Sequence, residues 1–124
     1  MSGCSIVLLA FAVLAPPGLA AAAPASPTKE ALAAARAHFE EGKRAFEATQ
    51  YQAAVEAFEA GQALVPRPLF QFNIAQAYRK LAEAEGDRPE LLRAARDKYR
   101  LYIDTSNLDE PERVDALRHL LELE

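Results

Sequence analysis

The sequence predicts an all-α fold built from helical hairpins, and three observations carry that expectation. Apolar residues recur every three to four positions along most of the chain after residue 28. Proline, glycine and short polar clusters interrupt the pattern at intervals that helices would fill. Small residues also return at a fixed spacing, Gly42 and Ala75 lying 33 apart, within the range of helical repeats. At 124 residues the chain has room for one domain.

The first 28 residues carry no charged side chain, so all 14 Lys and Arg and all 18 Asp and Glu fall between Lys29 and Glu124. Residues 6–15 are an unbroken apolar run, followed by Pro16, Pro17, Gly18 and an alanine-rich stretch. An apolar core, a helix break and an Ala-x-Ala site form the pattern of a secretory signal peptide. That pattern assigns residues 1–25 to a leader and 26–124 to the helical domain. Cleavage is expected after Ala22, with Ala25 as the near-equal alternative. A periplasmic or secreted product follows, with no stable membrane insertion after cleavage. No Lys or Arg precedes Ile6, which leaves open an uncleaved leader acting as a weak anchor. The run is well short of the ~20 apolar residues of a membrane span. The single cysteine, Cys4, lies before the run, where a lipid-acceptor cysteine would lie after it. Without a thiol, the rest of the chain can hold no disulfide, thiolate metal site or cysteine nucleophile.

Ser26 and Pro27 are read as N-cap and first helical position of a helix over 31–49. There Ala35, Phe39, Gly42 and Phe46 share one face. The turn at Thr49 and Gln50 is weak, and Thr49 is expected to cap a second helix over 51–65. Its inner face is Tyr51, Ala54, Val55, Phe58, Gly61, Gln62 and Val65. Pro66, Arg67 and Pro68 end that helix and start the next, since proline fits a first turn but not a helix interior. The third helix, 69–84, carries Leu69, Phe72, Ile74, Ala75, Tyr78 and Leu81. Gly86 breaks it, and Asp87 with Glu90 reads as a capping box for a fourth helix over 88–104, whose face is Leu92, Ala95, Tyr99 and Tyr102. A second capping box, Asp109 with Glu112, opens a fifth helix over 109–124. Its stripe is expected to be Val114, Leu117, Leu120 and Leu121, with Leu117 and Leu121 covering the fourth helix as a terminal cap.

Nothing in the sequence points to catalysis. His38 and His119 lie 81 residues apart without metal-type neighbours, and no His-Glu-x-x-His, Gly-rich phosphate loop or Gly-x-Ser-x-Gly occurs. Paired acids such as Glu40 and Glu41 sit among basic neighbours, as on a solvated helix face. No enzyme, cofactor or metal is therefore expected. Residues 79–100 hold seven basic and five acidic side chains, and 104–124 hold two and seven, a pattern of salt bridging along helices. A net charge of −4 without a basic stripe argues against nucleic acid.

Gly42, Tyr51, Ala54, Phe58, Gly61 and Pro66 are echoed by Phe72, Asn73, Ile74, Ala75, Ala77 and Tyr78, then Ala95 and Tyr99. This series resembles the tetratricopeptide repeat, a helix–turn–helix unit, over residues 35–102. The resemblance implies two repeats, about 35–68 and 69–104, plus a C-terminal capping helix, forming a short right-handed solenoid. It further implies a non-enzymatic scaffold of the bacterial cell envelope whose first helices line a concave groove for a peptide or partner helix. Carried over residue by residue, that groove takes Arg36, Phe39, Lys43 and Phe46 from the first helix, and Leu69, Phe72, Asn73, Gln76 and Arg79 from the third. Aromatic patches with basic flanks suit an apolar peptide bearing an acidic group, and Lys43 and Arg79 are expected to be exposed. Two features depart from the family. Ala75 and Ala95 stand 20 apart against 12 for Gly42 and Ala54, so the second repeat has an expanded turn. Phe39 stands where the carboxylate-clamp subfamily has Lys, so that specificity is not expected. Self-association through the groove, or a role as the front part of a larger envelope protein, are the alternatives.

Overall fold

In the computed structural model, which describes residues 26–86, 88–106 and 111–123, the chain forms five α-helices in succession. They are α1 (Lys29–Glu47), α2 (Tyr51–Leu64), α3 (Pro68–Glu85), α4 (Pro89–Thr105) and α5 (Pro111–Leu123). Packing runs mainly between consecutive helices, α1 on α2, α2 on α3, α3 on α4 and α4 on α5. The expected all-helical class is what the described residues form.

Helix ends follow local chemistry, with corrections to the expected caps. Thr28, not Ser26, caps α1, its side chain accepting from the Ala31 amide at 3.0 Å. At the other end Thr49 does not cap α2. It takes a left-handed backbone, φ 61°, and closes α1: its amide bonds to the Phe46 carbonyl, and the Gln50 amide to the Ala45 carbonyl at 2.8 Å. These are the two bonds of a Schellman ending, in which glycine is the usual left-handed residue. After α3 the left-handed residue is Gly86, φ 81°, directly after the last helical residue. Proline begins α3 at Pro68 as expected, and α4 also begins on a proline, Pro89. Asp87 and Asp109 lie outside the described residues; the residue before α4, Arg88, makes no side-chain cap bond.

Two cores form, and α3 is the wall between them. The first holds Ala35, Ala54, Val55, Phe58, Val65, Phe70, Ile74 and Ala77. The second holds Phe72, Ala75, Ala95, Tyr99, Tyr102 and Ala116. Phe70 and Phe72, two positions apart, point into different cores. This corrects the expected α3 pattern. Leu69, assigned to its apolar face, is 41% exposed, while Phe70 is buried at 6%.

Close approach in the first core depends on glycine. A Cβ on Gly42 would lie 2.5 Å from the Phe58 ring, and one on Gly61 would overlap the Phe70 ring. Each ring therefore lies directly on a helix backbone. In the second core the small residues are alanines, and Ala75 and Ala95 are fully buried.

Helix α5 corrects another expectation. Its buried contact is Ala116, with Leu120 and Leu123 packed on the second core. His119 stacks on Tyr99 with ring centroids 5.5 Å apart. Val114, Leu117 and Leu121 instead face outward, 59%, 42% and 75% exposed. The small Ala116 lets α5 approach α4 closely, and that crossing decides which of two apolar stripes turns inward. Arg113 ties the pair together, donating to the Ile103 carbonyl and to Ser106 Oγ.

Candidate functional site

Two adjacent depressions lie between α1 and α3. Residues 32, 36, 39, 43 and 46 step by four, three, four and three along α1, which aligns Leu32, Arg36, Phe39, Lys43 and Phe46 on one side of the helix. Phe39 marks the boundary between the depressions. Its ring meets Phe58 and Phe70, each at 5.8 Å between centroids, the second edge-on.

The first depression, about 230 Å³, is lined by Leu32, Ala35, Arg36, Phe39, Val65, Arg67, Leu69 and Phe70. Its floor is hydrocarbon, and among the described residues its charged lining is two arginines. The second, about 220 Å³, is lined by Lys43, Phe46, Glu47, Phe58, Phe72, Asn73 and Gln76. Lys43 stands over this region with Nζ 5.9 Å from the Phe39 ring centroid, within reach of a cation–π attraction, and 3.9 Å from Glu40. Phe46 packs edge-on against Tyr51 at 5.3 Å.

Eight of the nine expected groove residues line one depression or the other. Arg36, Phe39 and Leu69 belong to the first; Lys43, Phe46, Phe72, Asn73 and Gln76 belong to the second. Arg79 is the exception and corrects the expectation that it is exposed. Its side chain is only 17% exposed and is bonded inward. Nε donates to Tyr99 Oη at 3.3 Å, Nη2 to Gln76 Oε1 and Nη1 to Glu83 Oε1, both at 2.9 Å. Tyr99 Oη in turn donates to Gln76 Oε1 at 2.8 Å. A buried hydroxyl needs a partner, and Arg79 and Gln76 supply it. Burial pushes the Tyr99 phenol up to about 12, against the opposing pull of the Arg79 cation. Asn73 donates to the Leu69 carbonyl one turn back on α3, at 2.8 Å.

Leu32, Glu47, Arg67 and Phe70 are lining residues the sequence reading missed. Leu32 continues the spacing of Arg36 and Phe39 by one turn and was legible there. Arg67, between two prolines outside any helix, has no periodicity to reveal it. Among the described residues, no three His, Cys, Asp or Glu side chains gather as a metal site, and no helix is long and apolar enough to cross a membrane. Comparison with family models, with curated proteins and with solved structures finds no match to this chain.

Proposed function

We propose that the chain is an exported helical-repeat scaffold, similar to tetratricopeptide proteins, that binds a protein partner on the face shared by α1 and α3. The observation that carries this reading is the second depression. Phe46 and Phe72 line it together with Lys43 and Asn73, an aromatic surface beside a cation and an amide. Aromatic anchors with a charged rim are the usual make-up of energetically important interface patches. The uncharged leader and its Ala20-x-Ala22 pattern support export, and on that reading the partner belongs to the cell envelope.

The test compares wild type with Lys43→Glu as bait in an envelope extract of the source organism, with the recovered partner then purified and its binding remeasured. Lys43 is exposed, so the variant should fold with a stability change within about 0.5 kcal/mol and yet fail to bind. Equal binding by both proteins would place the interaction elsewhere. Self-association remains a second reading, favoured by the outward stripe of Val114, Leu117 and Leu121 on α5. Sedimentation would separate the two, since a dimer that Leu117→Lys converts to monomer uses α5 rather than the α1–α3 face.

A further inference from the structure

We infer that the first depression is a binding site for a small aliphatic carboxylate, a molecule with a short hydrocarbon tail and one acid group. This proposal stands apart from the partner reading, which rests on the second depression.

Three features of the cleft point to that chemistry. Its floor is built from Ala35, Val65 and Phe70, 4–6% exposed, with the edge-on Phe39 ring as one wall. Leu32 and Leu69, 40% and 41% exposed, flank it. A ligand tail lying against these groups would leave water and would bring the two leucines with it, which is favourable in proportion to the apolar area covered. The volume of about 230 Å³ lies below the roughly 300–1,000 Å³ of sites for drug-sized ligands, so the tail is short.

The charges supply the second half of the recognition. Arg36 and Arg67 both line the cleft, and no Asp or Glu does. Neither guanidinium has a hydrogen-bond or ion-pair partner among the described residues, although Arg79, Arg88, Arg113 and Arg118 all find one. The backbone amide of Arg67 is held by Gln62 Oε1 at 3.0 Å, which fixes the start of its side chain beside the cleft. In a chain of net charge −4, two unpaired arginines around one apolar floor select an anionic head group. Guanidinium groups match carboxylate geometry, with paired N–H donors facing the two oxygens. The backbone groups within the helices bond to one another, so an extended peptide would find few main-chain partners here. A free acid requires none.

Octanoate is the probe, titrated into the purified chain and followed by NMR. Saturable shifts at Leu32, Phe39 and Leu69, and at the Arg36 and Arg67 side-chain N–H groups, are expected. Octanol, which keeps the tail, and acetate, which keeps the acid, should each bind at least about tenfold more weakly, since charge-assisted bonds and tail burial each contribute. Arg36→Gln and Arg67→Gln should each weaken octanoate about tenfold while melting like wild type, because both residues are exposed and unpaired. Octanol binding as well as octanoate would overturn the proposal. So would shifts centred on the outward leucines of α5. A short peptide ending in leucine that binds this cleft more tightly than octanoate, and loses binding when amidated, would overturn the assignment to a free acid.

Discussion

The two cores solve the same packing problem with different chemistry. In the first, three phenylalanines meet and two of them lie on glycine: Phe58 over Gly42, Phe70 over Gly61. In the second, Phe72 meets Tyr99 and Tyr102, with centroids 6.1 and 5.3 Å apart, and the small buried members are Ala75, Ala95 and Ala116. A hydrocarbon ring can lie anywhere that space permits. A buried tyrosine must also bring its hydroxyl to a partner, and here that requirement draws Gln76 and Arg79 inward. The second core thereby engages Gln76 and Arg79, whereas Lys43 on α1 stays exposed.

The sharpest way to break this comparison is to remove a ring from the first core. Phe58 is 1% exposed, and Phe58→Ala should cost about 3–5 kcal/mol in a urea melt. A loss under about 1 kcal/mol would mean that the first core does not depend on its aromatic cluster. Gly42→Ala tests the close approach itself. Overpacking should cost about 1–3 kcal/mol, which outweighs the ~1 kcal/mol that alanine gains over glycine in a helix. The reverse change in the second core, Ala75→Gly, should lower stability by about 1 kcal/mol. An unchanged or raised midpoint for Gly42→Ala would erase the distinction between the cores.

Tyr99→Phe probes the polar side of the comparison and should cost about 1 kcal/mol, the net value of a typical hydrogen bond. It carries a pH signature as well. The phenol is held at about 12 in the folded chain against an ordinary value of 10.0, so the folded state keeps the proton more tightly than the unfolded state. That contribution is complete below about pH 10 and is lost as pH rises towards about 12. The stability gap between wild type and Tyr99→Phe should therefore narrow on crossing this window. A gap that stays constant would show that the hydroxyl does not titrate with folding.

The smallest expected effect is a gain. Thr49 holds the left-handed position that Gly86 holds in the second hairpin, and a β-branched residue is strained there. Thr49→Gly should raise stability by up to about 1 kcal/mol, and Gly86→Thr should lower it. Equal melts would indicate that the first turn accommodates threonine without strain.

The hairpin order and the helix ends at Pro68 and Gly86 were legible in the sequence because proline and glycine restrict the backbone locally. The inner face of α2 was legible too, since α2 has one wide apolar arc. Helix α3 was less so, because a helix packed on both sides buries Phe70, Gln71 and Phe72 in succession and shows no single stripe. On α5 the leucines at 117, 120, 121 and 123 allow two stripes, and the contact of Ala116 with the second core selects between them. The candidate site was half legible. Spacing put Phe39 and Phe46 on one face and the repeat resemblance added Arg36 and Lys43, but no spacing rule reveals that Arg79 is engaged by a tyrosine twenty positions away.

The buried Tyr99 also gives the molecule an optical reporter. The chain contains no tryptophan and four tyrosines, so tyrosine alone dominates its near-ultraviolet spectrum. Burial raises the phenols of Tyr99 and Tyr78, the latter also beside Glu59, and ionisation turns each into a red-shifted absorber. A stepwise alkaline titration followed by absorbance would then read the α3–α4 contact directly in solution, without any added label.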